Sequence, residues 1–176
     1  MRRKRARWLA TAAVTAWLTA CGADRSGISG EVAGQQAKEP GGEVSVAAQG
    51  SVVTIENARV SVRCDLAKGT FLALDKADGS TALAGAFARV NDLSSAAEGL
   101  KHAWKTFAVN DRLGAGKTLE VTSARAGQPS IISQITLYEG KGFLSLAGGI
   151  DNVTGKPLRV KEISLSLGAE IGRAHV

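Results

Sequence analysis

The chain has 176 residues, 44% of them hydrophobic, with 22 Lys and Arg against 16 Asp and Glu, a formal net charge of +6. Five of those basic residues and none of the acids lie in residues 1–20, which leaves seventeen against sixteen beyond them. The positive balance therefore belongs to the leader and argues against nucleic-acid binding, while two cysteines and two histidines supply neither a disulfide framework nor a zinc spacing.

Arg2, Arg3, Lys4, Arg5 and Arg7 precede a mostly apolar stretch over 8–18. That length suits the core of a signal peptide and falls short of the roughly 20 residues needed to span a bilayer. Leu18-Thr19-Ala20-Cys21 follows directly and reads as a bacterial lipobox, in which small residues admit a peptidase and the Cys21 thiol accepts a diacylglycerol. The expectation is a signal peptide over 1–20, a lipid-attachment site at Cys21, and an exported, membrane-anchored lipoprotein on the periplasmic or cell-surface side. A plain secretory signal with an incidental Cys21 is the other reading. Residues 21–50 are small, polar and Gly-rich without a period, which predicts a flexible tether.

From 51 to 169 the periodicity is two far more often than 3.6. Val60, Val62 and Cys64 alternate with Ser61, Arg63 and Asp65, and this setting makes Cys64 a buried structural thiol. A short strand over 71–75 leads to the turn residues 76–80, with Asp78-Gly79 able to take a positive φ. Alanines weaken a further strand over 82–90, and 91–100 reads as a loop or short helical turn. Strands over 104–109 and 119–125 flank a connection at 111–117, and strands over 131–138 and 143–150 flank the reversal at 139–142. A last strand is expected over 158–167 after Pro157, which can only start one, with the alternation slipping near Glu162-Ile163 as at a bulge. Strands at this spacing with Gly-rich turns predict an all-β fold, an antiparallel β-sandwich of one modest domain.

Few residues offer chemistry. Gly114-Ala115-Gly116-Lys117-Thr118 has the look of a phosphate loop, but Asp111 stands where the leading glycine belongs and 119–122 alternates as a strand. His102 has no recognisable partner for a triad or a metal. Asn152-Val153-Thr154 matches a glycosylation acceptor without consequence in a bacterial lipoprotein. No acid pair is marked as a glycosidase dyad. Trp104, Phe107 and Tyr138 could stack on a sugar ring, although core filling is the readier use for each. No catalytic, cofactor or metal residue is assigned, and no cofactor is expected. The terminal hexapeptide 171–176 is similar to the translation of a common sequencing-library adapter, so 170–176 is expected to be an artefact, with authentic sequence ending near Ala169 and His175 outside any site.

Four segments (65–71, 113–119, 137–144 and 151–163) resemble, in consistent order, the N-terminal β-sandwich of bacterial α-galactosidases of the melibiase and raffinose-synthase-like group. They include Asp65-Leu66-Ala67-Lys68-Gly69-Thr70-Phe71, Tyr138-Glu139-Gly140-Lys141-Gly142 and Asn152-Val153-Thr154-Gly155-Lys156-Pro157. The resemblance implies a galactose-mutarotase-like supersandwich over 51–169, incomplete here, packed against a (β/α)8 barrel that carries two catalytic aspartates and retains configuration. Those aspartates lie in the barrel, so no residue of this chain inherits their role. The expectation is a non-catalytic scaffold domain of a lipid-anchored glycoside hydrolase, an α-galactosidase, with the membrane as partner through Cys21 and an α-galactoside or other carbohydrate as substrate of the whole protein. The alternative is a non-catalytic carbohydrate-binding or structural envelope lipoprotein.

Overall fold

The computed structural model describes residues 14–15 and 42–166. Its strands are β1 (Val14–Thr15), β2 (Ser45–Gln49), β3 (Val52–Glu56), β4 (Val60–Asp65), β5 (Thr70–Asp75), β6 (Thr81–Val90), β7 (Leu93–Ser94), β8 (Lys101–Asp111), β9 (Gly114–Ala124), β10 (Ser130–Tyr138), β11 (Leu144–Asp151) and β12 (Ile163–Ser166). One sheet has the order β1-β11-β10-β9-β8; the other runs β12-β6-β5-β4-β3-β2, with β7 paired to β6. Each pairing is antiparallel. The all-β sandwich read from the alternation is the architecture found.

Alternation decides which side chains meet. Val62 and Cys64 lie opposite Ile55 and Val53, and Leu119 and Val121 opposite Ile135 and Ser133. Their apolar members join Leu137, Leu144 and Leu146 in one core. Ile55, Leu119, Ile135 and Leu137 are among its fully buried side chains, each contributing about 1.5–3 kcal/mol. Ala88, Val90, Ile131 and Ile150 form a smaller cluster. Gly85, at φ 58°, sits where the β5–β6 register shifts between Phe71↔Ala86 and Ala73↔Leu83, the kind of kink that only glycine takes without strain.

Three expectations on boundaries are corrected. Strand β2 lies inside the span read as a tether: its five residues pair with β3, Val44 is buried, and Val46 packs on the core. The small, Gly-rich surroundings hid that pair of valines, and the ordered domain starts several residues before 51. Strands β8 and β9 are each eleven residues long and pair from Lys101↔Ala124 to Asp111↔Gly114, so the expected 111–117 connection shrinks to Arg112-Leu113. Residues 158–162 are no strand, and the slip near Glu162-Ile163 marks where β12 begins; the only register shifts recorded among the described residues lie between β5 and β6. Leu158 and Val160 are exposed because Asn91 takes this backbone instead. Asn91, at φ 52°, accepts from the amides of Lys161 at 2.9 Å and Glu162 at 3.2 Å and donates Nδ2 to the Arg159 carbonyl at 2.9 Å. The expectations for 1–13, 16–41 and 167–176, Cys21 and His175 included, lie outside the described residues; Val14–Thr15, within the expected signal peptide, pair with β11, an edge position that cleavage before Cys21 would vacate.

A buried amide joins the two sheets. Asn57, 3% exposed, follows β3 and donates Nδ2 to the carbonyls of Tyr138 at 2.7 Å and Lys141 at 2.9 Å, in the β10–β11 reversal. Its Oδ1 accepts from the amides of Arg59 and Val60, each at 2.8 Å, so one side chain makes four bonds. An aspartate there keeps the two acceptor bonds but turns a carboxylate oxygen toward two carbonyls. Asn57→Asp is expected to cost about 3 kcal/mol or more at neutral pH, read as a lower urea midpoint; wild-type stability would contradict the assignment.

Candidate functional site

The residues singled out for chemistry fall into three places. Cys64 is buried in the core, and burial pushes its thiol up to about 12. It stays protonated and inert at physiological pH.

His102 lies on the core-facing side of β8, opposite Ser123, and its Nδ1 shares a 2.9 Å hydrogen bond with Ser123 Oγ. Burial lowers the imidazole pKa, opposed more weakly by the charge of Asp65. A His-Ser pair near an aspartate suggests nucleophilic catalysis, but the surroundings oppose it. Ser123 is 1% exposed, and the space it lines with Asp65, Gly69 and Ser95 is about 20 Å³, room for a water and no substrate. The pair is a packing device. A Cβ on Gly69 would collide with the Ser95 carbonyl oxygen and stand 2.6 Å from His102 Cε1. Ser95 Oγ in turn donates to the Gly69 carbonyl at 2.9 Å and accepts from the Ala88 amide at 3.1 Å.

The third place is the outward face of β8, β9 and β10. Residues opposite one another share a face, so Lys105, Glu120 and Gln134 form one row and Phe107, Thr118 and Thr136 the next. Lys105 Nζ is 3.0 Å from Glu120 Oε1, Gln134 Nε2 donates to Glu120 Oε2 at 2.8 Å, and the two threonine hydroxyls are 2.7 Å apart. Tyr138 donates its hydroxyl to Asp111 Oδ2 at 3.0 Å and packs on Phe143 with ring centroids 5.7 Å apart. Burial, then that hydrogen bond, raises the phenol pKa. Carboxylates, amides, hydroxyls and aromatic rings are the groups that recognise sugars, yet here they are bonded to one another. Among the described residues no buried side-chain nitrogen or oxygen lacks a partner, and none group as a metal site. Such a face can dock against another surface or accept a ligand at its rim.

The aromatic expectation divides. Tyr138 is buried, but Trp104 and Phe107 are 41% and 40% exposed and, three residues apart, point to opposite faces of β8. Phe107 stands on the outward face beside Thr118, and Trp104, opposite Val121 on the core-facing side, lies on the edge strand and stays exposed. The supposed phosphate loop is a hairpin: Asp111 Oδ1 accepts from the Leu113 amide at 2.8 Å, β9 continues to Ala124, and Gly116 is needed because a Cβ there would strike the Leu137 carbonyl oxygen. Asn152 spends its amide on Thr154 and on the Lys156 carbonyl, closing a turn. Nothing in the sequence singles out Asn57, Asn91 or Ser95, because a polar residue at a turn carries no mark of its long-range partner. An apolar crevice of about 80 Å³ lies between the sheets beside Phe71, Ile135, Leu146 and Leu165, smaller than the usual ligand pocket.

No protein-family model, curated protein or solved structure matches the chain.

The lowered pKa of His102 fixes the sign of a pH effect. The folded state releases this proton more readily than the unfolded chain, so the stabilisation is full above about 6.5 and lost as pH falls through the folded value. The stability difference between wild type and His102→Gln, followed by urea unfolding, should shrink on acidification below 6.5. A difference that holds constant or grows would contradict the burial of the neutral ring.

Proposed function

We propose that the chain is the N-terminal, non-catalytic scaffold of an exported, lipid-anchored glycoside hydrolase, a retaining α-galactosidase whose barrel lies downstream. The observation that carries this reading is the engagement of the chemistry-bearing side chains in the sandwich itself. Cys64 is buried, Ser123 is inaccessible behind His102, and Asp111 and Glu120 are bonded to neighbouring side chains. A domain of this kind buttresses and positions; it does not cleave.

The segments that resemble the α-galactosidase sandwich support the reading, since they coincide with constrained turns. Gly69 sits against Ser95 and His102, 113–119 opens β9, and 137–144 holds the reversal gripped by Asn57. The lipobox at Cys21 supplies the anchor. A second reading, a non-catalytic carbohydrate-binding lipoprotein, is favoured by one observation: the exposed ring of Phe107 on the same face as Glu120 and Gln134.

The first of three measurements tests the anchor that both readings share, and the other two separate them. In a bacterial host, labelled palmitate should enter the chain and vanish with Cys21→Ser; persisting label would overturn the lipid assignment. The 176-residue chain should leave an aryl α-galactoside intact, whereas the protein read from the locus past Ala169 should cleave it. Cleavage by the 176-residue chain itself, or none by the longer product, would overturn the hydrolase reading. Sugar binding by the 176-residue chain that disappears with Phe107→Ala would select the second reading.

A further inference from the structure

Strand β8 is the exposed edge of its sheet. Among the described residues it pairs with β9 alone, through eleven consecutive residues without a bulge, and nine of those eleven are exposed. Along such an edge every second N–H and C=O points away from the sheet, a template for another strand. The usual guards are weak here. The strand has no proline, and the Lys105 ammonium is drawn back over the sheet face to Glu120.

The sequence of β8 complements itself when read in reverse. Antiparallel pairing with the same strand of a second copy, at full overlap, is centred on Thr106. This sets Lys101 opposite Asp111 at both ends, Trp104 opposite Ala108, Ala103 opposite Val109 and Lys105 opposite Phe107. Opposite charges then meet, the largest side chain meets a small one, a lysine stem lies beside a ring, and two threonines meet on the axis. Each is a favourable cross-strand pair. Moving the centre by one residue to Lys105 sets the two lysines against each other and leaves Asp111 without Lys101. We infer that the partner of the β8 edge is a second copy of this chain, joined through a two-fold axis at Thr106 into a sheet continuous across the dimer. The symmetry is closed and isologous, so both exposed edges are covered at once and no open fibre results.

The test uses the full chain with Cys21→Ser, which leaves buried Cys64 as its only natural thiol. Directly opposite residues stand about 4.5–5.5 Å apart at Cα, within disulfide reach. Thr106→Cys should therefore form a covalent dimer under mild oxidation. Ala108→Cys should not, because its counterpart lies about 13 Å further along the paired strand. In sedimentation equilibrium the unoxidised Cys21→Ser chain should be dimeric, and Lys101→Asp should weaken association about tenfold by setting like charges at both ends. A monomeric chain, equal cross-linking at 106 and 108, or association unchanged by Lys101→Asp would each overturn the inference.

Discussion

The hydrogen bonds of Asn57 fix how the two sheets face one another. Hydrophobic burial brings Val62, Ile55, Leu119 and Ile135 together, but burial is indifferent to direction and would tolerate sliding of one layer over the other. The Asn57 amide has no such tolerance. It meets two carbonyls of the β10–β11 reversal and two amides of its own turn at 2.7–2.9 Å, and any slide leaves buried polar groups unpaired. Lys76 reinforces the turn, with its backbone amide on the Arg59 carbonyl at 2.8 Å and its ammonium on the Asn57 carbonyl at 3.0 Å. Ser95 and Asn91 repeat the device elsewhere, tying the β4–β5 turn to β6 and residues 159–162 to the end of β6.

This use of polar groups bears on function. A catalytic residue has to be held in position while its reacting atom stays available. In this sandwich the candidates are held by satisfying their reacting atoms: Ser123 by His102, Asp111 by Tyr138, Glu120 by Lys105 and Gln134. What remains to meet other molecules is surface, namely the outward face of β8 to β10, with Phe107, and the backbone edge of β8. The face suits the docking expected of a scaffold domain and the edge suits a second copy of the chain, so the two are distinct.

The sandwich was legible because its strands alternate cleanly, as Val60, Val62 and Cys64 do, and because glycines and Asx residues at 76–80 and 139–142 mark the reversals. Strand β2 was lost where Val44 and Val46 stand among small residues with too little periodicity to outweigh the composition. The stretch 158–162 was over-read because Leu158 and Val160 alternate as a strand does, while Asn91, some seventy residues earlier in sequence, claims their backbone. Composition suggests core filling for the aromatic residues, but whether a tryptophan fills a core depends on its place in the sheet, and Trp104 lies on the edge strand. The clamp residues were invisible for the same reason: Asn57 is 81 residues from Tyr138, and no local pattern announces such a pair.

Asn57 and the shared core make the two sheets one cooperative unit, a property that native-state hydrogen exchange reads residue by residue. The slowest amides of β4, such as Val62, and those of β10, such as Ile135, should exchange with the same opening free energy and respond to urea with the same slope. The amides of Lys161 and Glu162, bonded to the Asn91 side chain outside any strand, should open at lower cost. If β10 and β9 exchange at a free energy clearly below that of β4 and β3, the sheets open separately and are not one cooperative unit.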